Sequence, residues 1–325
     1  MPGLQHQAPT ATGAPTRPTA TAATGQQADR RTSLGLIRAL VRGCRPRQAG
    51  TKNLLVLTAP AIGGHLFTDT AVLPGTLVAF VTFCAVSAAV YLTNDVRDVE
   101  ADRCHPTKCR RPIACGDLPV PTALAAALAL AVGGLAVALW WSPALAAVLA
   151  TYLAVQLAYC THLKHVAGVD LLCVVSGFVL RVVAGGVATP VRLSVPFVVV
   201  VALAALFMVA GKRYSEMHSL GSAAGTRRAL AGYSLRWLRL VWVGAASLAV
   251  IGYVVAAVGL APYGSPGATW AVASVVLFAA GVARYAGHVQ RGAAGAPESV
   301  VFGDRVLQVL GALWLVPLCA TVMLA

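Results

Sequence analysis

An all-α, polytopic membrane fold follows from three features of the 325-residue sequence. Hydrophobic residues make up 58% of it and charged residues only 11%, nine apolar stretches run through it, and its basic residues fall on alternate loops. A soluble domain carries about 25% charged residues. This chain lacks the polar surface to face water on every side, so lipid must be the solvent for most of it. A net charge of +14 would suit nucleic acid, but the basic residues lie between apolar runs instead of over one soluble face. A nucleic-acid partner is therefore not expected.

The apolar stretches are 53–68, 72–93, 121–141, 143–161, 166–186, 194–211, 235–260, 268–287 and 304–325. A span needs about 20 apolar residues; most meet this, and the first is short. Trp140, Trp141, Ser142 and Pro143 read as a tight turn with interfacial tryptophans. Residues 1–33, rich in Ala, Thr, Pro, Gly and Gln, have the composition of a disordered tail without the apolar core of a signal peptide. Residues 34–52 form a basic segment. Within it, 34–47 shows helical apolar spacing with arginines between, which suits an amphipathic helix on the membrane surface or a solvated basic leader. The transmembrane domain is then 53–325.

One set of loops holds the N-terminal arginines, Arg97, Arg103, Lys108, Arg110, Arg111, Lys164, Lys212, Arg213, Arg227, Arg228, Arg291 and Arg305. The other set holds Arg192 alone. The positive-inside rule then predicts a cytoplasmic N terminus, an outward C terminus and nine crossings of the plasma or inner membrane.

Acids are scarcer. Five of the eleven, Asp95, Asp98, Glu100, Asp102 and Asp117, share one cytoplasmic loop, where an anionic leaflet makes them unexpected. On a helix, Asp95, Asp98 and Asp102 stand at i, i+3 and i+7 and share a face, with Asn94 one turn before Asp98. Carboxylates so gathered repel and call for a cation, and hard oxygen ligands favour magnesium or calcium. Magnesium characteristically completes its shell with substrate phosphates.

Only four lysines stand against 21 arginines: Lys52, Lys108, Lys164 and Lys212, each in a different segment on the predicted cytoplasmic side. Lysine is a compact point charge suited to phosphate oxygens. With Arg110, Arg111, Tyr159, Arg213 and nearby Glu216, they outline a cation-rich rim facing the acidic cluster, fit for a diphosphate on a sugar or a lipid. Of two charges inside the fifth stretch, Asp170 is expected near the site, and Arg181 is expected to snorkel toward the outer surface. His162 and His165 read as interfacial. Cys104, Cys109 and Cys115 are spaced too loosely for a zinc site.

The run N-D-V-R-D-V-E-A-D at 94–102, with Tyr159 to Lys164 and a polar loop after the sixth stretch, resembles the UbiA-type intramembrane prenyltransferase superfamily. The resemblance implies nine helices around a lipid-accessible central cavity, with the first Asp-rich motif binding diphosphate through Mg2+. It carries Asp95, Asp98 and Asp102 over as metal ligands and catalytic residues. Several runs are similar to one branch, the decaprenyl-phosphate phosphoribosyltransferases: His105 to Lys108, Arg111 to Ala114, Gln156 to Cys160, Ala184 to Thr189, Met208 to Tyr214 and Asp304 to Gln308. That branch implies phosphoribosyl diphosphate as donor and a polyprenyl phosphate as acceptor, in arabinose-donor lipid biosynthesis for the cell envelope. Asn94, Lys52, Lys108, Arg110, Arg111, Tyr159, Lys164, Lys212 and Arg213 become candidates for substrate binding. The second Asp-rich motif of prenyltransferases proper is replaced here by Lys212, Arg213, Tyr214, Ser215 and Glu216, which suits anionic groups, the 5-phosphate of the donor or the lipid phosphate, with the lipid phosphate expected near Lys212 and Arg213. The alternative activity is prenyl transfer from an isoprenoid diphosphate to an aromatic or lipid acceptor. A transporter, the non-enzymatic reading, would need more charges deep in its spans. Homo-oligomerisation is left open.

Overall fold

The computed structural model describes residues 33–63, 69–220 and 232–324. Residues 1–32 of the expected tail, positions 64–68 of the first apolar stretch, and Arg227 and Arg228 lie outside the described residues. Every regular element among the described residues is helical. Eight helices are long and apolar enough to cross a membrane.

The chain opens with α1 (Ser33–Cys44) and α2 (Pro46–Asn53). Ala39 and Gly43 of α1 are buried, while Leu34, Ile37 and Val41 stand exposed at helical spacing. This second apolar stripe is the one expected of a helix lying in the membrane interface. Arg45 joins the two helices in the left-handed region, with φ 51° and ψ 57°. A non-glycine residue pays for this conformation in strain, by about 1–3 kcal/mol, and keeps it only where its surroundings over-determine it.

The described part of the first apolar stretch, 53–63, is not one regular α-helix. A 3-10 turn at Leu54–Leu57 leads into the five-residue α3 (Thr58–Ile62). Pro60 has no N–H to donate to the carbonyl of Val56, so a regular α-helix breaks there. That carbonyl lies instead against Gly185, where an added Cβ would come within 2.0 Å of it.

The other eight stretches are helices. They are α4 (Val72–Arg97), followed by the short α5 (Val99–Arg103), α6 (Val120–Trp141), α7 (Pro143–Thr161) and α8 (Val169–Val187). Then come α9 (Val195–Leu220), α10 (Leu235–Leu260), α11 (Ala268–Gln290), the short α12 (Pro297–Gly303) and α13 (Arg305–Leu324). Their starts have local causes. Ser142, extended at φ −160°, accepts from Leu145 N ahead of Pro143, and Ser234 accepts from Trp237 N. A hydroxyl at this cap position is worth about 1 kcal/mol. The helix from 195 continues well past position 211, where the apolar run stops, and so carries Lys212, Arg213 and Glu216 on its last turns.

Consecutive spans pack as neighbours, and α4 also touches α7 and α8. One core gathers Phe83, Val86, Leu145, Leu149 and Tyr152, and another gathers Phe207, Leu238, Trp242 and Tyr285. At the end away from Asp95, α4 and α8 meet backbone to backbone. A Cβ on Gly75 would come within 2.1 Å of Ala188 O, and Trp141 Nε1 donates to that same oxygen at 2.9 Å.

Candidate active site

The Asp-rich segment runs on from α4, but its helix breaks at Asp98 (φ −93°, ψ 8°) before α5 begins. The three acids therefore divide. Asp95 and Asp102 are both buried, and Asp98 is partly open. Arg111 Nη1 lies 3.0 Å from Asp95 Oδ1 and 2.6 Å from Asp102 Oδ2, one positive nitrogen between two carboxylates. Arg45 Nη2 donates to both oxygens of Asp95 at 2.6 Å, while its guanidinium lies 5.4 Å from the centre of the Tyr91 ring. Asp98 accepts from Lys164 Nζ at 2.8 Å and from Asn94 Nδ2 at 3.1 Å. The single carboxylate face expected from helical spacing thus becomes two adjoining groups, each already joined to a cation.

These donors fit a divalent ion chemically. They are hard carboxylate and amide oxygens, and the Asp95 and Asp102 pair closes around one positive centre, Arg111 Nη1. Among the described residues no three His, Cys, Asp or Glu side chains converge closely enough to hold a metal in this conformation.

A second charged group faces the first. Asp170, 1% exposed on the first turn of α8, accepts from Arg213 Nε at 3.3 Å and from the Tyr233 hydroxyl, which itself accepts from Gly168 N at 2.7 Å. Burial and this bond to a carboxylate push the Tyr233 phenol above its usual range. Arg213 Nη1 also donates to Glu216 at 3.2 Å, and Lys212 Nζ is 4.0 Å from Glu216. Tyr159 is half-buried beside Arg213 and Asp170.

Lys52 lies 3.9 Å from Glu298 and so links the N-terminal segment to α12. Burial holds its ammonium below the usual range; Glu298 opposes this shift, and the charges of Arg181, Lys212 and Arg45 add to it. Lys108 and Arg110 are exposed on a 3-10 turn and make no ion pair among the described residues. Cys104 and Cys115 are exposed and Cys109 partly so, each as a free thiol.

Arg181 does not snorkel. It is 5% exposed. Its Nε donates to Asn53 Oδ1 at 2.7 Å, Nη1 to Gly177 O at 2.6 Å, and Nη2 to Tyr152 at 3.1 Å and Ser87 at 3.3 Å. Snorkelling needs a chain free to reach an interface, and this one is clamped by four elements. Sequence reasoning also missed Arg45 and Tyr233. A four-residue period along α4, Phe83, Ser87, Tyr91 and Asp95, is the signal that could have shown a polar inner face.

The helical spans, carrying the divided Asp-rich segment and a second charged group, define a multi-pass membrane protein. Residues 56–304 match the UbiA prenyltransferase family, and the chain belongs to that family. Its curated relatives narrow the comparison. It is 44% identical over 293 residues to the decaprenyl-phosphate phosphoribosyltransferase of Mycobacterium tuberculosis, covering 88% of this chain and 95% of that one. It is 42% identical over 280 residues to the protein of that name from Corynebacterium glutamicum, covering 85% and 84%. Among solved structures, a UbiA homologue from Archaeoglobus fulgidus bound to GPP and Mg2+ has the same fold. The TM-score is 0.66 at 14% identity, over 88% of this chain and 99% of that one.

Proposed function

We propose that the protein transfers 5-phosphoribose from phosphoribosyl diphosphate to a polyprenyl phosphate, releasing diphosphate. The observation that carries this reading is the pairing of buried Asp95 and Asp102 around one positive centre beside Arg45 and Lys164. Identity of 42–44% to decaprenyl-phosphate phosphoribosyltransferases over most of the chain supports the choice of substrates.

Asp95, Asp98 and Asp102 would hold magnesium, which supplies positive charge to the diphosphate. The chain's own residues do the rest. Arg45, Arg111 and Lys164 are the cations nearest the acids, and each can exchange a carboxylate for a phosphate oxygen, a charge-assisted bond of similar strength. Stabilising the charge on the departing diphosphate does most to lower the barrier. The acceptor phosphate is already ionised, so no side chain need remove a proton. Attack opposite the leaving group inverts C1.

The clustering of cations at the Asp-rich end supports a cytoplasmic position for that end in the cell membrane. The test offers purified protein phosphoribosyl diphosphate with decaprenyl phosphate and, in parallel, a prenyl diphosphate with an aromatic acceptor, and identifies products by mass spectrometry. Phosphoribosyl-lipid formed only in the first arm, and only with Mg2+, is the expected result. Prenylated product alone would replace this reading with the prenyl-transfer one.

A further inference from the structure

Arg181 is the charge that the reading above leaves unused. It lies deep in α8, about 18 Å of helix rise beyond Val169. A charge inside a membrane protein usually pairs or faces a functional cavity, yet no carboxylate lies within ion-pair distance of Arg181 among the described residues. All its acceptors are neutral: an amide, a peptide carbonyl and two hydroxyls. The rings of Phe83 and Tyr152 flank it at 5.2 and 4.9 Å. The guanidinium is therefore fixed in orientation with no counter-charge beside it among the described residues. Lys52 lies within electrostatic reach and adds to it.

Two neighbours give the site a direction. Along α4, Ser87 sits two turns from Asp95, about 12 Å of rise, with Tyr91 between them. Beside Asn53, Leu54 begins an apolar groove of about 580 Å3, whose other wall is Leu73, Pro74, Leu77 and Phe80 of α4. Leu73 and Leu77 are well exposed on this apolar surface. Ser87 and Tyr91 thus stand on α4 between Asp95 and a fixed cation, and the residue after that cation's partner Asn53 lines an apolar groove.

We propose that Arg181 seats the phosphate of the lipid acceptor, with the isoprenoid chain in the groove beyond Leu54. This rests on the phosphoribosyl-transfer reading and deepens it. In-line displacement requires the nucleophile on the face of C1 opposite the diphosphate; with the diphosphate at Asp95, an acceptor phosphate at Arg181, beside Ser87 two turns back along α4, would approach from the far side. An oxygen of the acceptor phosphate bonds to C1 as the C1–O bond to diphosphate breaks. The diphosphate leaves with the electron pair, and no proton moves. Arg213, the cation expected from sequence to hold this phosphate, is engaged by Asp170 and Glu216.

The shared chemistry is a phosphate monoester, and the donor's 5-phosphate is its other source. The test therefore measures binding in nanodiscs, without turnover, for a polyprenyl phosphate, the matching polyprenol and phosphoribosyl diphosphate. Wild-type protein is expected to prefer the lipid phosphate over the alcohol by about tenfold or more, the scale of a charge-assisted contact. Arg181→Gln should abolish this preference and leave phosphoribosyl diphosphate affinity within about twofold. Arg181→Lys, which keeps the charge without the fork, should retain part of the preference and serves if the Gln variant does not fold. A preference undiminished in both variants, or a loss falling on phosphoribosyl diphosphate instead, overturns the assignment. A wild type that binds the lipid phosphate but forms no phosphoribosyl-lipid sinks the transfer reading alone.

Discussion

Replacing Arg111 by Gln removes the one positive nitrogen between Asp95 and Asp102 while keeping a polar side chain of nearly the same reach. The two carboxylate oxygens it touches, at 3.0 and 2.6 Å, belong to side chains only 2–3% exposed. Two unit charges about 5 Å apart repel by about 3 kcal/mol at an effective dielectric near 20. Removing one partner of a buried ion pair typically costs about 3–5 kcal/mol. Arg45 still serves Asp95, and Arg111 is itself 24% exposed, so the lower figure, about 3 kcal/mol, is the better expectation. In detergent, that corresponds to a thermal midpoint lower by about 4–5 °C. The assay is a thermal unfolding series on wild type, Arg111→Gln, Asp102→Asn and the double variant, each with and without Mg2+. Asp102→Asn should recover most of the loss in the Gln background, because it removes the repulsion. Mg2+ should raise the midpoint of Arg111→Gln more than that of wild type, because the ion takes the place the guanidinium left. A double variant no more stable than Arg111→Gln, together with no extra response to Mg2+, would refute the reasoning.

Three further outcomes follow from the same contacts. Asp98→Ala should abolish phosphoribosyl transfer, measured by product mass spectrometry, with the thermal midpoint within a few degrees of wild type, since Asp98 is partly open and its loss frees the part-buried Lys164 and Asn94. Gly185→Val should destabilise the fold by about 1–3 kcal/mol in chemical or thermal unfolding, because its Cβ would meet the backbone carbonyl of Val56 at 2.0 Å and the backbone must shift. Hydrogen bonds from His288 and Arg284 hold the Asp304 carboxyl well below the usual carboxylate range. A depressed folded value means that its stabilisation is complete above the ordinary range, near pH 4, and fades as the pH falls below it. Asp304→Asn should therefore flatten the acid limb of a stability-versus-pH curve, and an unchanged limb would remove Asp304 from that account.

Eight of the nine apolar stretches became helices close to their expected limits, because a bilayer demands long apolar segments whose backbone polar groups are satisfied internally. The described part of the first stretch departs from a regular α-helix for a local reason visible in Pro60 and a distant one in Gly185, and only the local one can be read without coordinates. The Asp-rich segment was legible as an acidic cluster needing cations. Its division was not, because Arg45 and Lys164 come from far along the chain, with separations of 50 residues from Asp95 and 66 from Asp98. Arg181 was misjudged because a lone arginine toward the end of a span looks free to reach an interface. Its clamp depends on Asn53, 128 residues away. Composition and periodicity report what each helix presents, and which faces meet is decided by packing between segments.

The close approach of Gly75 to Ala188 O at one level and the Arg181 guanidinium donating to Ser87 at another tie α4 to α8 twice, so a relative shift of these two helices has to break contacts at both levels.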